Sequence, residues 1–252
     1  MTTRLLRTRI LPFLGAILSL FLSLSEARAS DRVVVSVPPL HSLVSYLLAG
    51  VDQPALLFTD PSHNQETVPM PTALSKIHAA KMVVWVGPTY EKPLAGLFSI
   101  DPATTLKGLT LSSSLPLLGA PDAQHPSRSN GVQDMRFWLD PRLAKVAVSR
   151  IAPNLTRVYP DHVELILDNE IALKKRLTDM EHQFRHVLGT PHGVPLNVPE
   201  SDVLYLAWRF NLATPTCPDA AQKIEGFDGT PGAKDYFKMM DAILSDLKAC
   251  QI

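Results

Sequence analysis

The sequence predicts an α/β fold in which a lobe of parallel strands is joined by one long helix to a reduced C-terminal part. Two observations carry this. Short apolar runs at 32–37, 54–58 and 82–86 alternate with segments whose apolar residues recur at helical spacing. A longer helical pattern then runs over 160–188, and its roughly 28 residues would span about 42 Å, the length of a whole domain. A helix of that length placed after one lobe reads as a strut between two parts.

Taken in order, residues 32–37 (Arg-Val-Val-Val-Ser-Val) show no polar alternation, as expected of a strand covered on both faces. Leu40, Leu43, Val44, Leu47 and Leu48 form a helical stripe that Gly50 ends. Residues 54–58 make a second strand and 59–70 a polar loop. Pro71 opens a helix to about Ala80. Residues 82–86 (Met-Val-Val-Trp-Val) are a third strand, stopped by Gly87-Pro88, and right-handed crossovers are expected between these strands. A short helix over 90–97 and an apolar segment over 109–118 follow. Residues 119–133 are rich in Pro, Ser, Gly, Asn and Gln without period and read as a surface loop. Pro141 opens a helix through Ile151, and Gly189 stops the long one. Residues 190–252 hold an aromatic-rich helix at 202–210, a Pro-rich turn around Cys217 and a final helix at 233–250.

Composition narrows the function. The 252 residues are 46% hydrophobic and 19% charged, which excludes a disordered chain or a long coiled coil. Lys+Arg and Asp+Glu are both 24, so no basic excess points to nucleic acid. Arg4, Arg7 and Arg9 precede an apolar run over 10–24, and Ala27-Arg-Ala29 offers a cleavage site. Residues 1–29 therefore read as a secretory signal peptide, too short in its apolar run for a membrane span. Removing them leaves 20 basic against 23 acidic residues, a net of −3. In an oxidising compartment Cys217 and Cys250 are expected to pair rather than stay as separate thiols, worth about 3–4 kcal/mol.

Four segments resemble the zinc/manganese family of solute-binding proteins of ABC transporters, most closely the periplasmic zinc-uptake type. Residues 33–50, with Val-Val-Val-Ser-Val-Pro-Pro-Leu-His-Ser-Leu-Val, are similar to that family's first strand and helix. Residues 71–88, ending Met-Val-Val-Trp-Val-Gly-Pro, resemble its third strand and turn. Phe137-Trp-Leu-Asp-Pro141 is similar to its Trp-Leu-x-Pro motif, and 160–188 to its backbone helix. The resemblance is strong over 32–189 and shortened over 190–252. It implies an N-terminal lobe over 30–159, a linking helix over 160–189, a reduced C-terminal lobe over 190–252 and a C-lobe disulfide. It also implies a monomeric periplasmic protein that delivers zinc or manganese to a membrane permease.

The family holds its metal between lobes, mostly with histidines. The first family histidine falls at Gln65 by count, with His63 two residues away. The second falls at Arg136, the third at Glu200 and a late acidic ligand at Asp228. A guanidinium has no lone pair to give a cation. The resemblance thus leaves two readings. Either His63, Glu200 and Asp228 form a weaker zinc site, with His41, Gln65 and Arg136 lining the cleft. Or the chain is a degenerate paralogue, holding no metal in its cleft, in which Arg136 pairs with Glu200 and the protein serves as an interaction module.

Other residues carry less. His182 and His186 share one helix face and could hold a surface metal, though a helical pair alone is a weak signal and a solvated helix end is the more ordinary reading. His78 reads as structural, and His125 stands in a loop without a histidine-rich run. Trp85, Trp138 and Trp208 read as packing aromatics. There is no Gly-x-Ser-x-Gly elbow, no His-Glu-x-x-His, and no Ser-x-x-Lys in a suitable context, so no enzyme is expected. The segment 226–234 is a Gly/Pro turn, since its Lys follows Ala and no strand precedes it.

Overall fold

Four parallel strands build the sheet: β1 (Ser30–Val35), β2 (Pro54–Leu56), β3 (Met82–Trp85) and β4 (Gly108–Thr110), in the order β2-β1-β3-β4. A computed structural model describes residues 30–58, 70–121, 129–188, 200–210 and 232–249. β1 pairs with β2 through Val34↔Ala55 and Val35↔Leu56, and with β3 through Val33↔Met82 and Val35↔Val84. Successive side chains leave the sheet on opposite faces. Val33, Val35, Met82, Val84 and Val86 enter the large core with α1 (Pro38–Leu47). Val34, Val83 and Trp85 enter a second core with Ile77 of α2 (Met70–Ala79) and Leu94 and Phe98 of α3 (Lys92–Ile100). Helices therefore cover both faces, as the unbroken apolar strands require.

Pro38 and Pro39 sit in the first turn of α1, where their missing N–H groups cost no helical bond. A single turn of helix, α4 (Pro102–Thr105), leads into β4. β4 is only three residues long and half-buried, so no periodicity marks it in the sequence. The expected loop over 119–133 proves instead to hold an antiparallel pair, β5 (Gly119–Pro121) and β6 (Ser129–Gln133). Backbone pairing, rather than a buried apolar face, defines that pair.

α5 (Pro141–Val158) runs about two turns past the expected end at Ile151. Its buried stripe continues through Ala152 and Leu155, and Pro153 lies on the exposed side, so packing outweighs the lost hydrogen bond. A 3-10 turn (Pro160–His162) leads into α6 (Val163–Leu188). Ile166, Leu173, Leu177, Met180 and Phe184 bury one stripe of α6. Asn169 Nδ2 donates to the carbonyls of Leu47 and Ala49 at 3.0 and 2.9 Å, closing the end of α1.

α7 (Glu200–Phe210) and α8 (Asp235–Ala249) complete the described chain. Phe210 stacks on Phe184 at 5.5 Å, and the Arg176 guanidinium lies 3.8 Å over the Phe237 ring. Tyr205 and Tyr236 are fully buried. One core thus runs continuously from Val33 to Leu247. Among the described residues after α6 there are two helices and no strand. No described helix is long and apolar enough to cross a membrane.

Candidate functional site

In an open parallel sheet, ligands bind beyond the carboxyl ends of the strands, where neighbouring connections leave to opposite faces. Here that point lies between β1 and β3. The chain leaves β1 for α1 on one face and β3 for α3 on the other. Ser36 and the Val86-Gly87 turn form the rim. Beneath them lies Glu91, fully buried. Ser36 Oγ donates to its Oε1 at 2.5 Å, Val86 N to the same oxygen at 3.1 Å, and Gly87 N to Oε2 at 2.7 Å. Burial raises the Glu91 carboxyl to about 7, against the pull of these donors from Gly87, Ser36 and Val86.

Gly87 is required at this turn. Its φ is +153°, and a Cβ there would meet Ser112 Oγ at 2.0 Å. Gly87→Ala is expected to lower stability by about 2–3 kcal/mol, and adding Ser112→Gly should recover part of it. A urea midpoint unchanged in Gly87→Ala would disprove the close approach.

The second wall is the segment 134–140 with its 3-10 turn (Phe137–Leu139). Trp138 meets Tyr90 edge-on at 5.7 Å, which sets this wall beside the β3 exit. Asp134 is buried and accepts from Arg136 three times: backbone N at 2.8 Å, Nε at 3.0 Å and Nη2 at 2.8 Å. Such a fork fixes the guanidinium plane and balances its charge. Tyr205 Oη donates to Asp134 O at 2.6 Å and accepts from Leu118 N at 3.2 Å. Burial pushes Tyr205 up to about 12, so it stays protonated and keeps that donor. Tyr236 Oη donates to Trp138 O at 2.7 Å. Asp140, fully buried, caps α5 by accepting from Arg142 N at 2.9 Å and takes Arg209 Nε at 2.9 Å on both oxygens. α7 and α8 are therefore fastened to this wall by buried polar groups.

The predicted residues distribute unevenly over this frame. Arg136 lies in the wall. His63 and Gln65 belong to 59–69, which follows the end of β2 and lies outside the described residues, as do Asp228, Cys217 and Cys250. Glu200 opens α7 in backbone, while its side chain is outside the described set. His41 is buried on α1, with Nε2 2.9 Å from Pro54 O and Nδ1 3.4 Å from Ser45 Oγ. Since Pro54 O can only accept, Nε2 carries the proton, and Nδ1 is left to accept from Ser45. Burial holds this imidazole below its ordinary value, opposed by the Pro54 bond and the Asp235 charge. His182 and His186 are exposed on α6, and Glu181, just before His182, turns inward to Arg142 and Lys145. Among the described residues no three His, Cys, Asp or Glu groups gather as a metal cage. Sequence reasoning missed Glu91, Asp134, Asp140 and Tyr205. Glu91 left a trace as an acid four residues after Gly87 in the turn that follows β3, and Asp140 as the residue before Pro141 in the quoted motif.

The model of the family described as "Zinc-uptake complex component A periplasmic" matches residues 33–243 of this chain. The chain belongs to the ZnuA family. The ZnuA match begins in β1 and ends inside α8, so it takes in the sheet, the long helix and the C-terminal helices alike. The high-affinity zinc uptake system protein ZnuA of Brucella abortus (strain 2308) is 25% identical over 236 residues, covering 79% of this chain and 70% of that protein. ZnuA of Yersinia pestis is 25% identical over 185 residues, covering 66% of this chain and 58% of its own. In structure the chain is similar to a mutant of the laminin-binding adhesin Lmb of Streptococcus agalactiae (TM-score 0.70, 17% identity, 88% of this chain and 99% of that one). It is also similar to a zinc-bound ZnuA deletion mutant (TM-score 0.63, 19% identity, 87% and 95%). The Mn2+ complex of the solute-binding protein FpvC of Pseudomonas aeruginosa gives a TM-score of 0.66 at 15% identity, over 86% and 95%. These likenesses establish the fold, that of metal-binding solute-binding proteins.

Proposed function

We propose that this ZnuA-family chain is the periplasmic metal-binding component of an ABC import system, with zinc as its cargo and a membrane permease as its acceptor. The family match over residues 33–243 carries the reading. The switch point between β1 and β3, with the 134–140 segment set beside it through Trp138 and Tyr90, supports it. The reading includes no catalysis, since the family is one of solute-binding proteins. It also includes a leader over 1–29, lobes over 30–159 and 190–252 joined through 160–189, a Cys217–Cys250 disulfide and a monomeric state.

Within this reading His63, Glu200 and Asp228 are the zinc ligands, an imidazole and two carboxylates suited to a tetrahedral ion. His41, Gln65 and Arg136 line the cleft. Arg136 gives the ion nothing, but Asp134 balances its charge, so no bare cation repels zinc there. One histidine in place of several lowers affinity without abolishing it.

Calorimetric titration of metal-free protein with Zn2+ tests this. One equivalent is expected to bind, His63→Ala to weaken binding at least about tenfold, and His182→Ala/His186→Ala to leave it intact. Absence of binding at micromolar zinc, or binding lost only with the His182 and His186 pair, would overturn the cleft site.

A further inference from the structure

The α5–α6 pair presents a face that metal capture does not use. α5 carries Arg142, Lys145, Arg150 and Arg157 and no acidic residue, in a chain with equal numbers of acids and bases. At 100° per residue, Arg142, Val146, Arg150 and Arg157 fall within about 80° of one another along a helix of about 27 Å. All four are exposed.

The neighbouring flank of α6 continues the face. Arg142 Nε reaches Glu181 Oε1 at 2.7 Å, and Lys145 Nζ reaches Thr178 Oγ1 at 3.1 Å. These contacts set the two helices antiparallel. By the helix period, Val163 and Leu167 share the flank of Thr178, Glu181 and Arg185, and Ile171 borders it. The antiparallel register brings Val163 and Leu167 level with the last turns of α5. They are 37% and 41% exposed, and Ile171 is 68% exposed. Two acids of this flank are engaged: Lys174 pairs with Glu170, while Arg142, Lys145 and Arg185 surround Glu181; exposed Glu164 stands beside Ile171 at the flank's edge.

We propose that this basic and aliphatic face rests on the anionic headgroups of a phospholipid bilayer. Exposed arginines spaced along one rigid helix can fork phosphates, while Val163, Leu167 and Ile171 enter the boundary between headgroups and acyl chains. A polypeptide partner is usually held by aromatic anchors. The face carries no exposed aromatic ring. The inference does not depend on the cargo proposed above.

The test is flotation of the protein, purified from the periplasm of an expression host, with phosphatidylglycerol-rich or pure phosphatidylcholine vesicles. Binding is expected to the first only, and to fall at high salt. Arg150→Glu/Arg157→Glu should lower partitioning at least about tenfold, since each charge contributes to surface attraction. Ile171→Asp should lower it as well. Lys81→Glu/Lys248→Glu makes the same charge change elsewhere on the surface and should leave binding within about twofold. Equal binding to both vesicle types would overturn the proposal, and so would an equal loss in the Lys81/Lys248 variant. So would capture on polyglutamate beads, lost in Arg150→Glu/Arg157→Glu, without vesicle binding, which would assign the face to an acidic polypeptide.

Discussion

Asp140→Ala is expected to destabilise the protein by about 4–6 kcal/mol, a large part of the 5–15 kcal/mol that holds a typical domain. Two losses add. The half-buried Arg209 guanidinium loses the buried carboxylate it forks, at about 3–5 kcal/mol. The first turn of α5 loses its cap at Arg142 N, at about 1 kcal/mol. Arg209→Met should cost less, about 3 kcal/mol, because the carboxylate keeps its capping bond. Urea unfolding at neutral pH measures both. A loss under about 1 kcal/mol in Asp140→Ala would mean that the carboxylate is solvated and the pair contributes little.

The second large effect is a pH dependence centred on Glu91. Its carboxyl titrates near 7 when folded, against an ordinary value of 4.5. Below the ordinary value both folded and unfolded chains hold the proton. Between the two values the unfolded chain has released it and the folded chain has not. Stability from this group is therefore full in mild acid and is lost as pH rises through about 7, by about 3 kcal/mol in all. The site can hold either form, because the Ser36 hydroxyl can donate to a carboxylate or turn to accept from the acid. His41 acts in the opposite sense, since its buried neutral ring loses stability as pH falls below its ordinary 6.5. Comparison with Glu91→Gln isolates the carboxyl. That variant offers one oxygen to the two backbone donors, Val86 N and Gly87 N, so it should be weaker at every pH and lack the Glu91 slope. A wild-type slope between pH 5 and 7.5 that persists unchanged in Glu91→Gln refutes the assignment.

The central strands were legible because both of their faces are buried. Val33, Val34 and Val35 are all fully enclosed, which leaves an unbroken apolar run in the sequence. β4, β5 and β6 were not, since three to five residues joined mainly through backbone leave no side-chain period. α5 outruns its expected end at Ile151 because tertiary packing through Ala152 and Leu155 overrides the local breaker Pro153. Arg136 was picked out by its place in the family's motif, yet its fork onto Asp134, two residues away, was not foreseen. Three other site contacts join residues far apart: 55 positions from Ser36 to Glu91, 69 from Asp140 to Arg209, 71 from Asp134 to Tyr205. No local pattern encodes such pairs.

The single core from Val33 to Leu247 also bears on ancestry. α7 and α8 supply Tyr205, Tyr236 and Leu244 to the interior that the first strand helps to form. A fragment ending at Leu188 would leave Phe184 without its stacked ring and the Trp138 carbonyl without its donor. The C-terminal helices are thus no detachable cassette: their loss would remove one wall of a shared interior, and selection on either part of the chain acts on both.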